Sequence, residues 1–516
     1  MNNKGVVAAG HPETTKAAEE VLRDGGNAFD AVIAAHFTAC VAEPVLCSLG
    51  GGGFMVASKE GGKPVAYDFF TQTPLSKRPT DEIDFYPIQA DFGTAQQEFH
   101  IGLGSISTPG SVAGLFRIHK DLGSLPISRL IEPAINLAKQ GLLLNDFQAY
   151  IFSIVAPIYL STDSARKVFA DPQDTAKLVS SGQHLIQEDH ADFMDALAHE
   201  GEELFYRGEI SANIDKLSHE GGGHITREDL ESYKVVKRKP LQLGYRDAKV
   251  FINPPPSAGG LLIAFALDLL KQIDMRDYRF GSYDHLRLLG DVMSLTNEAR
   301  IQQQISGKQE DTQKLLNPEF LQLYRDEITN RSKAYRGTTH ISVIDSRGNV
   351  ASMTLSNGEG CGTIVPGTGV MLNNMLGEED LNPDGFHQWQ TNQRMSSMMS
   401  PAIMMFDDGR EIAIGSGGSN RIRSAILQVI SNLIDHQMDV AAAVEAPRIH
   451  LEGSHLSVEG GFNQSEIERL IKHYPDNNVW NDLNLFFGGA HTVAAHKNDF
   501  YGCGDPRRGG AVNTVK

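Results

Sequence analysis

Alternating apolar and polar positions are clearest in two neighbouring stretches, residues 340–345 and 350–355. Both are rich in β-branched residues, and the turn sequence Asp-Ser-Arg-Gly-Asn separates them. This pattern predicts a β-hairpin. If Arg347 lies at its centre, the same register brings Thr338 opposite Ser356. Cross-strand partners have Cβ atoms about 5 Å apart, so two hydroxyls would meet at the start of the hairpin.

Helical periodicity dominates much of the remaining chain. It predicts helices over residues 12–24, 28–42, 127–140, 261–273 and 421–435. Shorter apolar runs predict strands over residues 64–70, 401–406, 411–415 and 491–496. Strand clusters combined with helical blocks indicate an α+β or layered α/β architecture. The polar, charged stretch 308–337 is predicted to be exposed, as a cleavage site in the chain requires.

Composition narrows the class of protein. The chain of 516 residues is long enough for a large core, and its formal charge of −18 argues against a nucleic-acid partner. Its four cysteines form no CxxC pair, so neither a disulfide framework nor a zinc site is indicated, and we expect no metal and no cofactor. No signal-like or membrane-spanning stretch is evident. The prediction is a cytoplasmic protein without a membrane partner, or a periplasmic or secreted one if a leader has been removed.

Thr338 gains a specific chemistry if the chain is cut in front of it. An uncut threonine is a weak nucleophile, and most Thr-Thr pairs at strand starts are structural. A freed N-terminal threonine carries a nucleophile and a base on one residue. Its α-amino group has an ordinary pKa of about 7.7–8.0, so a usable fraction is neutral near pH 7.

Two further motifs each have a structural and a functional interpretation. The sequence Ser-Gly-Gly-Ser-Asn at residues 416–420 precedes a predicted helix, and its N–H groups suit an oxyanion or a phosphate. A capped strand-to-helix turn explains the same pattern equally well. Ser396 and Ser397 are adjacent hydroxyls in an apolar setting, which suits either a carboxylate ligand or a small-residue core.

Ordered motifs along nearly the whole chain resemble the γ-glutamyltranspeptidase family. In the first part of the chain the resemblance rests on His11-Pro12, Asp24-Gly25-Gly26-Asn27-Ala28, residues 50–54, Thr108-Pro109-Gly110 and the turn at residues 254–260. In the rest it rests on Thr338-Thr339-His340-Ile341-Ser342-Val343, Asn357-Gly358, Leu372-Asn373-Asn374, Arg394-Met395-Ser396-Ser397-Met398, Gly415-Ser416-Gly417-Gly418-Ser419 and Asp505-Pro506-Arg507. It implies the N-terminal-nucleophile (Ntn) hydrolase fold, an αββα sandwich of two β-sheets between helical layers. It also implies self-cleavage into a large subunit, residues 1–337, and a small subunit, residues 338–516, which stay associated as one unit.

The resemblance also implies roles for individual residues. Thr338 would be the nucleophile, Ser356 would contact it, and Gly417 and Gly418 would lie in the oxyanion-hole segment. The substrate-binding residues would be Asn357, Glu378 for the α-amino group, and Ser396 and Ser397 for the α-carboxylate.

One departure from the family pattern changes the expected substrate recognition. The family's Asp-Phe-Arg-Glu motif appears here as Asp-Phe-Phe-Thr, so Phe70 replaces the arginine that pairs with the substrate α-carboxylate. A charge-assisted contact of that kind is typically worth about 1.5–3 kcal/mol. A hypothesis is that Gln393, Arg394 or Arg421 compensates from elsewhere.

The sequence therefore predicts a self-processing γ-glutamyl transferase or hydrolase acting on small glutathione-type amides. A threonyl acyl-enzyme would pass its acyl group to water or to an amino acceptor. One alternative is an acylase of the same fold for another amide, such as one with a glutaryl-like acyl group. Another is an unprocessed, non-catalytic binding protein.

Overall fold

A computed structural model describes residues 3–91, 96–303, 305, 310–317, 320–321, 338–382 and 385–516. The strands are β1 (Gly5–Ala9), β2 (Gly52–Ser58), β3 (Val65–Phe69), β4 (Tyr86–Asp91), β5 (Gln96–Ile101), β6 (Leu142–Leu143), β7 (Ala170–Asp171), β8 (Asp174–Leu178), β9 (His184–Leu185), β10 (Val236–Arg238), β11 (Leu241–Tyr245), β12 (Ala248–Ile252), β13 (Thr339–Asp345), β14 (Val350–Ser356), β15 (Ala402–Phe406), β16 (Arg410–Ile414), β17 (Ile449–Glu452), β18 (His455–Val458), β19 (Asn477–Val479), β20 (Thr492–His496), β21 (Asp499–Cys503) and β22 (Ala511–Val515).

The helices of the described residues flank these strands. They are α1 (Pro12–Arg23), α2 (Ala28–Ala42), α3 (Ser111–Leu122), α4 (Ile127–Gln140), α5 (Asp146–Tyr159), α6 (Asp163–Phe169), α7 (Glu188–Glu200), α8 (Glu203–Tyr206), α9 (Glu209–Gly221), α10 (Arg227–Ser232), α11 (Ala258–Lys271), α12 (Tyr283–Gln302), α13 (Asp311–Leu315), α14 (Arg421–Ile434), α15 (Val440–Glu445) and α16 (Gln464–His473). No helix in this described part of the chain combines the length and apolar character needed to cross a membrane.

Two large sheets form the centre of the molecule. The first has seven strands in the order β10-β3-β2-β14-β13-β1-β22, and the second has six in the order β11-β12-β15-β16-β20-β21. Small apolar side chains fill the space between them, among them Val6, Val56 and Ile344 from the first sheet and Ile403 and Val493 from the second.

Helices cover the outer face of each sheet. Helix α2 is buried along its whole length beneath the first sheet, and α11 and α14 share a core with the second. The layering is helix, sheet, sheet, helix, which confirms the predicted αββα sandwich.

The predicted hairpin forms in the predicted register. Strand β13 pairs antiparallel with β14 from Thr339 opposite Leu355 to Ile344 opposite Val350. Continued by one residue, this register places Thr338 opposite Ser356. The hairpin occupies the middle of the first sheet, with β1 on one side and β2 on the other.

Helix α11 begins three residues earlier than its hydrophobic pattern predicts. Gly259 and Gly260 belong to the helix rather than to the preceding turn. A Cβ on Gly259 would overlap the Met398 carbonyl oxygen, and one on Gly260 would overlap the Asn253 carbonyl oxygen. The glycines therefore permit close packing here, although they weaken the local helical signal.

The predicted exposed segment, residues 308–337, lies largely outside the described residues. Where it is described, α13 buries Asp311 and Leu315 but exposes Gln313 and Lys314, so the prediction of exposure is wrong for the two buried residues. Gly337 also lies outside the described residues.

Candidate active site

Thr338 lies immediately before β13 and is buried, with 4% of its surface exposed. Its backbone carbonyl accepts a hydrogen bond of 3.2 Å from Nη1 of Arg508. The Arg508 side chain is itself buried, and its Nη2 donates to the carbonyl of Leu485 at 3.3 Å. The Arg508 guanidinium therefore holds the backbone of the candidate nucleophile through its carbonyl group.

The side chains around Thr338 enclose a cavity of about 40 Å³. Its walls bring together five residues that the sequence had marked: Phe70, Thr338, Ser356, Glu378 and Ser397. The rest of the wall comprises Met375, Asp380, Leu381, Met398, Met399, Ser419 and Ile422. The cavity is thus mainly apolar, with hydroxyls and two carboxylates at defined places.

Glu43 holds the strand that carries Thr338. Asn27 caps α2 by accepting from the N–H groups of Phe29 and Asp30, and this apolar helix ends just before Glu43. The Glu43 carboxylate accepts from the hydroxyls of Thr339, at 2.8 Å, and Thr14, at 3.1 Å. Burial raises the pKa of Glu43 to about 7, against the lowering effect of these hydrogen bonds.

His340 links β13 and β14 behind the site through hydroxyl groups. Its Nδ1 lies 2.8 Å from Oγ1 of Thr354 and its Nε2 lies 2.8 Å from Oγ of Ser342. Complete burial lowers the pKa of His340 well below its usual value, with a further contribution from His491. The neutral ring lies against Gly415, where any added Cβ would overlap it.

The glycine-rich segment 415–420 passes directly beside Thr338, as predicted. A Cβ on Gly417 would overlap the Thr338 carbonyl oxygen, which explains the need for glycine. The Gly417 N–H donates to the carbonyl of Gly489 at 3.3 Å, whereas the Gly418 N–H has no acceptor among the described residues. Gly418 adopts φ +118°, a conformation that side chains strongly disfavour. Of the two predicted oxyanion donors, Gly418 is the one free to take a ligand.

The two serines predicted to bind a carboxylate occupy different positions. Ser397 lines the cavity, and its Oγ accepts from the N–H of Met399 at 3.0 Å. Ser257 anchors this segment by donating to the Ser397 carbonyl at 3.0 Å. Ser396 is half-buried and is not part of the described cavity wall.

None of the proposed replacements for the family arginine reaches the described cavity wall. Arg394 donates to the carbonyl of Phe70, to the hydroxyl of Tyr233 and to the carbonyl of Lys234. Arg421 donates to the carbonyl of Phe486 at 3.1 Å, and Gln393 is exposed. Phe70 itself is buried in the cavity wall, with its ring 5.3 Å from that of Phe54.

Asn357 and Glu378 both lie at the bend formed by Gly358. Asn357 is fully buried, outside the cavity wall, and neither its amide nitrogen nor its amide oxygen has a hydrogen-bond partner in the described part of the chain. Burying an amide without hydrogen-bond partners costs free energy, and a ligand that supplied those partners would remove the cost. Gly358 has φ +65°, and a Cβ there would lie 2.9 Å from Oε1 of Glu378.

Sequence reasoning missed Arg508, Glu43 and Asp380 as parts of the site. Burial lowers the pKa of Arg508 to about 10, although the carboxylates of Glu359, Asp505 and Glu43 favour its charged form. The only sequence signal was the Asp505-Pro506-Arg507 motif, which stops one residue short of Arg508. Among the described residues, no cluster of three or more histidine, cysteine, aspartate or glutamate side chains could hold a metal ion.

Comparisons with known proteins identify relatives of this chain. The family model described as Gamma-glutamyltranspeptidase matches residues 14–515. A glutathione hydrolase proenzyme from Escherichia coli strain K12 is 30% identical, over 90% of this chain and 84% of that protein. An acylase ACY 1 proenzyme from Pseudomonas sp. strain V22 is also 30% identical, over 91% of this chain and 86% of that protein.

A solved structure is similar over the whole fold. The cephalosporin acylase from Bacillus halodurans superposes with a TM-score of 0.86, at 25% identity, over 99% of this chain and 96% of that one. The two sheets and their helical layers thus form the Ntn-hydrolase fold that this acylase also has. The family match spans most of the chain, and we conclude that the chain belongs to the γ-glutamyltranspeptidase family.

Proposed function

We propose that this protein is a self-processing enzyme that cleaves γ-glutamyl amides through an acyl-enzyme on Thr338. The observation that carries the proposal is the cavity wall itself, where Thr338 lies with Ser356, Glu378 and Ser397. The proenzyme names of the relatives support processing of the chain.

The first step is cleavage of the chain in front of Thr338. Oγ of Thr338 attacks the carbonyl carbon of Gly337, the peptide C–N bond breaks, and an ester forms at Oγ. Water then hydrolyses the ester, which leaves a carboxylate on residue 337 and a free α-amino group on Thr338. Arg508 holds the Thr338 carbonyl during these steps and limits the orientations available to the residue.

Substrate cleavage then repeats the same chemistry on an external amide. The neutral α-amino group takes the proton from Oγ as Oγ attacks the amide carbonyl. The N–H of Gly418, which has no acceptor among the described residues, donates to the developing oxyanion. The proton passes to the leaving amine, the C–N bond breaks, and an ester remains on Thr338 until water or an amine takes the acyl group.

The γ-glutamyl assignment rests on the polar groups of the pocket. Glu378 suits the α-amino group of a glutamyl substrate, and Ser397 can donate to its carboxylate. The amide of Asn357, which lacks a hydrogen-bond partner within the described ranges, directly follows the wall residue Ser356 in sequence and adds a donor and an acceptor. The relative from E. coli is named a glutathione hydrolase.

A second candidate is an acylase for a different amide. The observation that favours it is Phe70, which fills the wall where an arginine would pair with a substrate carboxylate. The Pseudomonas and B. halodurans relatives are named acylases. Steady-state hydrolysis of glutathione beside a penicillin- or cephalosporin-type amide distinguishes the two candidates.

Chain processing is the first test of the proposal. We expect the purified wild-type protein to show two bands on a denaturing gel, with the smaller beginning Thr-Thr-His-Ile by N-terminal sequencing. Thr338→Ala should remain whole, and Thr338→Ser, which keeps a hydroxyl, should still cut. A single wild-type band after prolonged incubation would instead support a non-catalytic binding protein.

A further inference from the structure

The charged side chains in the cavity wall are all of one sign. Glu378 and Asp380 contribute carboxylates, and no lysine, arginine or histidine belongs to the wall in the described ranges. Glu378 is buried, with 3% of its surface exposed, while Asp380 is half-buried and accepts from the Ser419 hydroxyl at 2.8 Å. An anionic group entering the cavity therefore faces two carboxylates.

Arg423, the buried cation that interacts with Asp380, is already engaged in other contacts. Arg423 interacts electrostatically with Asp380, but it lies outside the cavity wall. Its Nη1 donates to Oδ1 of Asn297 at 2.9 Å and its Nη2 lies 3.7 Å from Oε1 of Glu452. A substrate carboxylate cannot rely on this guanidinium without breaking contacts that are buried.

The uncharged residues of the wall offer a substrate carboxylate few hydrogen-bond donors. Of the wall hydroxyls, those of Thr338 and Ser356 belong to the proposed reacting centre. The Ser397 hydroxyl can donate one hydrogen bond, and the Ser419 hydroxyl is already donating to Asp380. Phe70, Met375, Met398 and the other apolar side chains offer no donor. A carboxylate placed here loses most of its hydration, which is costly without a paired cation.

We propose that the acyl subsite recognises an amine and does not require a carboxylate, so that amides of ω-amino acids are substrates of this protein. This inference rests on the proposed function and specifies its substrate class. A 4-aminobutyryl group is a γ-glutamyl group without its carboxylate, and a glutaryl group is the same chain without its amine. The two acyl groups thus isolate the two charges.

The test compares four p-nitroanilides on the cut protein: γ-glutamyl, 4-aminobutyryl, glutaryl and uncharged butyryl. We expect kcat/KM for 4-aminobutyryl to exceed that for glutaryl by at least about tenfold, the size of one charge-assisted hydrogen bond. The leaving group is constant, so the ratio reports the acyl subsite alone. A glutaryl value equal to or above the 4-aminobutyryl value overturns the inference.

Variants separate charge recognition from folding. Glu378→Gln and Phe70→Arg should each lower the ratio of 4-aminobutyryl to glutaryl hydrolysis, because one removes an anion and the other adds a cation. Glu379→Gln is the matched control, since Glu379 is exposed and outside the described cavity wall, and its ratio should equal that of the wild type. An unchanged ratio in Glu378→Gln would also overturn the inference.

Failure of the inference differs from failure of the proposed function. If the cut enzyme hydrolyses the glutaryl anilide best, the proposed chemistry stands and only the inferred amine preference is wrong. If the chain stays whole and hydrolyses none of the four anilides, both the proposed function and the amine preference are wrong.

Discussion

Arg508 contacts the backbone of the candidate nucleophile and is not part of the described cavity wall. It donates to the Thr338 carbonyl and lies beside the glycine-rich segment, where a Cβ on Gly418 would lie 3.3 Å from its Nη2. A fixed cation this close to Thr338 disfavours the protonated form of the freed α-amino group. Arg508 is therefore a positioning residue that also favours the neutral base.

Replacing Arg508 should change both processing and pH dependence. We expect Arg508→Met to slow chain cleavage, and in the cut fraction to move the acid limb of the kcat/KM profile upward by roughly one pH unit. Arg508→Lys, which keeps the charge, should leave that limb near its wild-type position. The carboxylates of Glu43, Glu378 and Asp380 act in the opposite direction in all three proteins.

Arg276→Met is the control for the loss of an arginine, because Arg276 is exposed and forms an ion pair with nearby Asp274, far from residue 338 in sequence. Identical acid limbs in Arg508→Met and wild type would show that Arg508 does not influence the base.

Glu43 predicts a dependence of stability on pH. Its folded-state pKa of about 7 lies above the usual 4.5, so the folded protein favours the neutral carboxyl. The stabilisation is therefore complete below about pH 4.5 and is lost as the pH rises through 7, by on the order of 2–3 kcal/mol.

Glu43→Gln should remove this decline while keeping an acceptor for Thr339. The measurement is the urea midpoint at pH 5 and pH 8, made in a Thr338→Ala background so that a single uncut species is compared. Equal declines with and without the Gln substitution would contradict the role assigned to Glu43.

At the scale of elements, the hairpin β13–β14 and the glycine-rich segment define the site together. Gly417→Ala should push the Thr338 carbonyl away from Arg508, because the added Cβ has no room. We expect the rate of chain cleavage to fall at least tenfold, which corresponds to on the order of 1.4 kcal/mol in the activation barrier. The measurement is a time course of cleavage on denaturing gels.

Gly244→Ala provides the matched control for that substitution. Gly244 lies in β11, and a Cβ there would meet nothing within 4 Å. Normal cleavage by Gly417→Ala would mean that the segment yields easily, and that its contact with Thr338 does not position the nucleophile.

Local pattern was sufficient to predict the hairpin, because its register depends on one turn and on strict alternation. The start of α11 could not be predicted in the same way. Gly259 and Gly260 are required there because other segments of the same chain pack closely against them, and helical propensity does not reveal this. The contacts of Arg508 and Glu43 with residues 338 and 339 join parts of the chain far apart in sequence. A motif can mark such residues, but only the fold brings them to Thr338.

At the scale of the whole molecule, the strands of the two expected fragments alternate in the first sheet. β14 and β13 of residues 338–516 lie between β2 and β1 of residues 1–337, and β22 then pairs with β1 on its other side. Each fragment thus lacks strands that the other supplies. This order supports the proposal that the fragments stay associated after the cut.

The alternation of strands has a consequence for the lifetime of the protein. Before the cut, pairing β13 with β1 is a step within one molecule; afterwards, an unfolded protein is two separate chains that must meet again in solution. We expect Thr338→Ala to regain its structure after dilution from urea at a rate independent of concentration. The cut wild type should recover slowly and in proportion to its concentration, so the protein can fold efficiently only once.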